Sequence, residues 1–122
     1  MTAPLAGVRA GVADALSTLG IPIHTYPTGS MPAPCAWFVP GSPYLDPGTS
    51  WGTSEVSLDI RLVVSNASGA EAMERLDALL DSAVDLLIAA RIGVGPISSP
   101  YTPEDSAVIA VDIPTTTVWS AE

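Results

Sequence analysis

The segments SEVSLDIRLVVSN (54–66) and SGAEAMERLDALLDSAVDLLIAA (68–90) decide the fold. In the first, aliphatic residues alternate with polar or charged ones, which is the period-2 pattern of a strand with one buried face. In the second, Ser68 and Glu71 form an S-x-x-E capping box that predicts the start of a helix. The aliphatic face of this helix is predicted to comprise Met73, Leu76, Leu80, Val84 and Leu87. Together the two segments predict a sheet with a helix laid over it.

The same helix carries an acidic face formed by Asp77, Asp81 and Asp85. Carboxylates at this spacing line a row along a helix and do not converge on one point, so they predict a solvated face rather than a cation site. Like charges one turn apart destabilise a helix by about 0.2–0.5 kcal/mol per pair. The negative field could therefore have a use, such as repelling DNA, although solubility is the simpler interpretation.

The N-terminal part predicts a helix over 4–19, followed by a short strand over 21–26. Pro22 places that strand at an edge of the sheet, because proline cannot donate to a hydrogen-bond ladder. Gly7 and Gly11 weaken the helix by up to about 1 kcal/mol each relative to alanine. They would also permit close approach of a neighbouring element.

The middle and the end of the chain predict two further strands. The apolar run CAWFV (35–39) is expected to end at a proline, with PGSPYLDPGTSWGT (40–53) forming a loop. The last strand, 106–119, contains Asp112 and Pro114, which predict a bulge or an edge position. The fold class is therefore α+β, with a mainly antiparallel sheet of about four strands and two helices packed on one face.

Composition limits what the protein can do. Its 122 residues suit a single domain, predicted over 1–122. The chain has 13 acidic residues, four arginines and no lysine, and its net charge of −9 argues against binding nucleic acid or anionic membranes. Sites that need a lysine, such as Walker-type phosphate loops, are excluded. No apolar run approaches the ~20 residues that span a membrane, so a soluble, unprocessed protein is expected.

No catalytic residue, metal site or cofactor is predicted. His24 is the only histidine and Cys35 the only cysteine, so no disulfide can form within the chain, and one of each, eleven residues apart, does not match the four-ligand pattern of a structural zinc site. A Gly-x-Ser-x-Gly elbow is absent from the sequence. A small enzyme remains an alternative only if His24, Asp59 and Arg61 line a polar pocket. Asp59 and Arg61 share one face of their strand and could instead pair with each other.

Three aromatic residues are candidates for a subunit interface. Trp37 lies in an apolar run and is expected in the core. Tyr44 and Trp51 lie in the predicted loop, and Trp119 lies near the end of the last strand. Exposed aromatic side chains often anchor protein interfaces, so Tyr44, Trp51 and Trp119 are predicted to contact another subunit.

The layout of the chain resembles the tail terminator (tail completion) proteins of long-tailed bacteriophages. The resemblance covers essentially the whole sequence and rests on the order of segments rather than on a catalytic motif. The segments are LAGVRAGVADALSTLGIPIHTYP (5–27), PGSPYL (40–45), SEVSLDIRLVVSN (54–66), GAEAMERLDALLDSAVDLLIAA (69–90) and VIAVDIPTTTVWS (108–120).

This resemblance implies a structural virion protein that forms a hexameric ring at the head-proximal end of the tail tube, after assembly in the host cytoplasm. Such a ring ends tube polymerisation, contacts the tail tube protein and joins the tail to the head connector or stopper protein. DNA would pass through the ring without specific binding. A head-completion or connector-stopper protein of the neck is the alternative, because it would share the size and class. The family offers no catalytic residues to carry over.

Overall fold

The computed structural model describes residues 4–26, 33–46, 53–65, 70–102 and 108–120. Its elements are α1 (Pro4–Ala15), β1 (Ile23–His24), β2 (Cys35–Asp46), β3 (Thr53–Ser65), α2 (Ala70–Ala89), β4 (Gly93–Val94) and β5 (Val108–Ser120). The strands form one sheet in the order β1-β2-β3-β5-β4. Only β1 and β2 pair in parallel, so the predicted α+β class with a mainly antiparallel sheet is confirmed. The predicted edge position of the first strand is also confirmed.

The central strand β3 separates two faces of the sheet. Its alternate residues from Val56 to Val64 are fully buried together with residues of both helices. The residues between them, such as Asp59 and Arg61, turn to the opposite face, here called the open face because neither α1 nor α2 covers it. A smaller apolar cluster of Cys35, Val63 and Ala110 lies at one end of this open face.

Helix α2 meets the sheet with a stripe that differs from the predicted one. Its buried residues are Ala72, Leu76, Ala83 and Leu87. Met73, predicted to be in the core, is 37% exposed, and Leu80 and Val84 are half-buried. Two of the four buried positions are alanines, which sequence analysis passed over because it followed the larger aliphatic residues.

Helix α1 ends at Ala15 and not at the predicted residue 19. The chain continues in tight turns, in which the Leu19 amide donates to the Leu16 carbonyl. Buried Arg9 donates to the Thr25 carbonyl, and its guanidinium lies 4.3 Å from the centre of the Tyr26 ring. This arginine ties α1 to the segment after β1, a role that the sequence did not indicate.

Strand β2 runs to Asp46, so the loop predicted over 40–53 is wrong for residues 40–46. Residues 47–52 lie outside the described part of the chain. The ladder between β2 and β3 shifts register between Pro40 and Leu45, where β2 holds extra residues. Gly41 lies in this irregular stretch, directly against the backbone of Ser57.

Pro114 is accommodated in an inner strand without the predicted bulge. The ladder between β3 and β5 is continuous along both strands. The Pro114 carbonyl accepts a hydrogen bond of 2.9 Å from the Gly95 amide, so the Pro114 backbone polar groups point away from β3. The N–H that proline lacks is therefore not needed for pairing with β3.

Helix α2 ends in a Schellman motif whose left-handed residue is Arg91, at φ 62°. The Ile92 amide donates to the Leu87 carbonyl and the Arg91 amide to the Ile88 carbonyl, both at 3.0 Å. Leu87 and Ile92 are both buried in the main core, which adds the apolar contact typical of this motif. The predicted end near 91–93 is therefore two residues too late, because the cap forms on a residue other than glycine.

A pair of glycine substitutions tests the packing of β2. A Cβ atom on Gly41 would lie 2.7 Å from Ser57 Cβ and 2.9 Å from Ser57 O, so Gly41→Ala is expected to lower the free energy of unfolding by about 1–3 kcal/mol. Gly11→Ala is the control, because its Cβ would meet nothing within 4 Å. It is expected to stabilise by up to about 1 kcal/mol through helix propensity. Urea unfolding of the two variants measures both, and equal effects would contradict the contact at Gly41.

A second pair tests the cap of α2. Arg91→Gly and Arg91→Ala both remove the guanidinium, but only glycine adopts positive φ without strain. The glycine variant is therefore expected to exceed the alanine variant in unfolding free energy by about 1 kcal/mol. Thermal and urea unfolding compare them directly. Equal stability would show that residue 91 is not left-handed in solution.

Candidate assembly surface

The three long strands meet at one end of the sheet, here called the sheet tip (residues 45–46, 53–56 and 117–120). Leu45 pairs with Val56, which pairs with Thr117. The next row joins Asp46, Glu55 and Val118. Leu45 is 45% exposed and Val118 is 64% exposed, so the tip presents apolar side chains to solvent.

Both outer long strands have edges that the short strands cover only in part. Strand β1 pairs with Ala36 and Trp37, and β4 pairs with Thr115 and Thr116. Within the described residues, the edge of β2 beyond Trp37 and the edge of β5 beyond Thr116 have no partner strand. Uncovered edges are templates for pairing with another chain.

The outward direction of backbone groups follows from the observed hydrogen bonds. The Ala36 amide donates to the Pro22 carbonyl on the β1 side, so Phe38, two residues along, also points its backbone groups outward. In β5 the Pro114 carbonyl points away from β3, so Val118, four residues along, also points its backbone groups outward. Each free edge therefore offers at least one N–H and one C=O to an incoming strand.

The three aromatic residues predicted for an interface flank the sheet tip in the sequence. Tyr44 lies in β2 next to Leu45, and Trp119 lies in β5 and pairs with Ser54. The side chains of Tyr44 and Trp119, and the whole of Trp51, lie outside the described part of the structure. The interface prediction therefore stays a prediction for all three. Sequence analysis did not select Leu45 or Val118, the two apolar side chains that the structure exposes there.

The acidic residues Asp77, Asp81 and Asp85 are exposed along α2. Asp85 also lines a groove of about 490 Å³ between α2 and the turn after α1, together with Thr18 and Leu19. Across the described ranges, no three or more histidine, cysteine or acidic side chains lie close enough to hold a metal ion. Within the described residues the row is therefore a charged, exposed surface of α2.

A hydrogen-bonded cluster occupies the open face. Arg61 Nε and Nη2 donate to the two carboxylate oxygens of Asp112, at 3.0 and 3.4 Å. The Tyr101 hydroxyl donates to the same carboxylate, 3.1 Å from either oxygen. Arg61 thus pairs with Asp112 across the strands, and the alternative that it pairs with Asp59 is wrong.

The pKa shifts in this cluster follow from burial and from the Asp112 charge. Burial, the nearby charge of Asp112 and its hydrogen bond raise the pKa of the Tyr101 hydroxyl, against the opposing effect of Arg61. The hydrogen bond to Asp112 raises the pKa of Arg61. Burial and then the Asp112 charge raise the pKa of Asp59, while Arg61 lowers it. These shifts keep Arg61 charged and Tyr101 protonated, so the cluster holds β5 and the Tyr101 segment together.

The other polar residues considered for chemistry lie apart from that cluster. His24 is aligned with Trp37, with β2 between it and Arg61, and its Nε2 is buried without a hydrogen-bond partner among the described residues. Burial raises the pKa of the Cys35 thiol, which keeps the thiol protonated. Trp37, predicted in the core, is only partly buried and packs on the Cys35 cluster of the open face.

Comparisons with known proteins bear on the fold and not on the function. No protein-family model matches the chain, and no curated protein does. One solved structure aligns over 100% of this chain and 97% of its own length, with a TM-score of 0.52 and 20% sequence identity. At that identity the likeness shows a shared fold alone. Within the described ranges, no helix is both long and apolar enough to cross a membrane.

Two carboxylates on the open face are expected to respond oppositely to neutralisation. Asp112→Asn removes the charge that Arg61 and Tyr101 share, and is expected to lower the unfolding free energy at pH 7 by about 1–2 kcal/mol. The expected loss of unfolding free energy is no larger because the Arg61 side chain is 33% exposed, so solvent screens its ion pair with Asp112. Asp59→Asn is expected to stabilise at pH 7, because the folded state raises the Asp59 pKa and therefore disfavours its charged form.

The pH dependence separates the two effects. An acid whose pKa is higher in the folded state stabilises the protein below its unfolded pKa, and this contribution is lost as pH rises through the folded pKa. The advantage of Asp59→Asn over the unsubstituted protein is therefore expected to shrink as pH falls through the carboxyl range. Urea unfolding from neutral pH to about pH 4 measures it. An advantage that does not change with pH would contradict a titrating Asp59.

Proposed function

We propose that this protein is a structural virion protein that forms a ring at the head-proximal end of a phage tail tube. In this role it ends tube polymerisation and joins the tail to the head connector. The observation that carries the proposal is the pair of unlike, partly uncovered strand edges, one on β2 and one on β5. The layout resemblance described above supplies the biological setting.

Unlike edges favour assembly into a ring. If the β5 edge of one copy meets the β2 edge of the next, each contact joins two different surfaces, and such a head-to-tail contact closes into a ring when the rotation permits. Strand addition at an exposed edge is a known mode of protein recognition. The exposed Leu45 and Val118 at the sheet tip would contribute apolar area to the same contact.

The charge of the chain suits a wall past which DNA must slide. With a net charge of −9 and no lysine, the protein has little capacity to neutralise phosphates. A ring of such subunits would not retain DNA by releasing counterions. The exposed row Asp77, Asp81 and Asp85 would strengthen this repulsion wherever it faces the lumen.

The solution mass tests the ring. Size-exclusion chromatography with light scattering is expected to give about 75 kDa, which is six copies of the 12.5 kDa chain. Trp51→Ala is expected to shift this mass toward the monomer, whereas Met73→Ala, at a 37% exposed residue on α2, should not. A protein that stays monomeric at high concentration overturns the proposal.

Binding to purified phage parts tests the position in the virion. The protein is expected to bind the ends of tail tubes and to stop their elongation. Tubes that keep growing in its presence would contradict a terminator role. Binding to DNA-filled heads instead of tubes would assign the protein to the neck as a connector stopper.

A further inference from the structure

The segment that follows β4, here called the strap (residues 95–101), covers part of the outer edge of β5. Three strap residues bond to alternate residues of β5, in the pairs Gly95–Pro114, Ser98–Asp112 and Tyr101–Ala110. The Asp112 amide donates to Ser98 Oγ at 3.0 Å, and the Ala110 amide donates to the Tyr101 carbonyl at 2.7 Å. The strap therefore occupies the outward N–H groups that β5 has along this stretch.

The strap follows β5 without forming a regular strand. Its bonded residues are three apart, whereas the β5 residues that they meet are two apart, so each interval of the strap holds one extra residue. Pro96 and Pro100 lie in these intervals and have no N–H to offer a further strand. The strap therefore covers the edge of β5 and does not present an equivalent edge of its own.

Few buried contacts hold the strap in place. Its middle is largely exposed, at Pro96, Ser98, Ser99 and Pro100. Partly buried Ile97 packs on the main core, and Tyr101 packs on the Cys35 cluster and donates its hydroxyl to the Asp112 carboxylate. A segment held by exposed hydrogen bonds and few apolar contacts opens at a lower free energy than the whole fold unfolds.

We propose that the strap is a removable cover: it leaves β5 while the rest of the sheet stays folded, and a strand of a second copy then adds along the exposed edge. The inference rests on the proposed ring, which assigns the added strand to the β2 edge of the neighbouring copy. Opening frees two N–H groups, of Ala110 and Asp112, and the three carbonyls of residues 110, 112 and 114. An added strand gains more hydrogen bonds there than at Val118 alone.

Such a cover controls when copies join. While the strap is closed, it satisfies the backbone groups that a neighbour would need, so single copies do not pair along this stretch. The population of the open state then sets the apparent affinity and rate of strand addition. Copies that are held together at the end of a tail tube compete with the strap more effectively than free copies do.

Hydrogen exchange of neighbouring amides in β5 tests whether the strap opens by itself. The amides of Ala110 and Asp112 face the strap, whereas those of Val111 and Ile113 face β3. In the monomer, the first two are expected to exchange at least about tenfold faster than the other two, relative to their intrinsic rates. Equal protection of all four amides would show that the strap opens only with the whole fold, and would overturn the proposal.

A serine pair in the strap provides the variant and its control. Ser98→Ala removes the hydroxyl that accepts from the Asp112 amide, whereas Ser99 is exposed and its side chain has no hydrogen bond within the described residues. Ser98→Ala is expected to speed exchange of the Ala110 amide by roughly two- to tenfold, the effect of one hydrogen bond. Ala110 is the informative amide because its own partner, Tyr101, is unchanged. Ser99→Ala should leave the rate unchanged, and equal effects of the two variants would contradict a strap that opens as a unit.

The rate of assembly tests the role of the opening. Because a neighbour adds only to the uncovered edge, Ser98→Ala is expected to speed oligomer formation by the same factor as it speeds Ala110 exchange. Stopped-flow light scattering at equal concentrations measures this, with Ser99→Ala as the control. Faster opening without faster assembly would overturn the strap as a cover.

The outcomes separate the cover from the ring. If the unsubstituted protein and Ser98→Ala both stay monomeric at high concentration, the ring and the role of the cover are both overturned. If the unsubstituted protein and both variants form hexamers at one rate, the ring stands and the cover is wrong. Unchanged exchange of the Val111 and Ile113 amides establishes that each variant keeps its sheet.

Discussion

The pairing of β3 with a long strand on each side is the constraint on which the rest of the structure depends. Every residue of β3 is aligned with β5, and most are also aligned with β2. Because the ladder fixes the register, the aliphatic residues of β3 and β5 fall on the same face. That face requires cover, and α1 and α2 supply it. The open face receives Arg61 and Asp112 side by side by the same rule.

The outer edges of β2 and β5 are protected from pairing with other chains in different ways. Pro40 points outward in β2 and has no N–H, which weakens that edge as a template for uncontrolled pairing. Along β5, Gly95, Ser98 and Tyr101 bond to the backbone and protect the edge as far as β4. Within the described residues, the uncovered edge of β5 is confined to the sheet tip, whereas that of β2 begins at Phe38. A short uncovered edge limits uncontrolled pairing with other chains, since a longer free edge would invite aggregation.

Much of the fold could be predicted because hydrophobic periodicity reports which face of an element is buried. This held for β3 and for the existence of α2. Prediction from periodicity failed where the structure depends on contacts between residues that are distant in sequence. Nothing local distinguishes residues 40–46 as a strand, since two prolines and a glycine favour a turn. An arginine such as Arg9 is expected at the surface from its sequence alone. Its burial depends on the Thr25 carbonyl and the Tyr26 ring, which are distant from it in sequence. The course of the strap is set by its bonds to β5, so no pattern within the strap could reveal it.

The continuous ladder between β3 and β5 also determines when the protein can fold. Thr53 pairs with Ser120 and Ser65 with Val108, so the ribosome must synthesise α2 and β4 before the central strand can acquire its second neighbour. Until then, the aliphatic face of a nascent β3 lacks half of its sheet. Contacts this distant in sequence form slowly and leave hydrophobic strands exposed while they form. Folding of this sheet is therefore expected to be completed only after β5 has been synthesised.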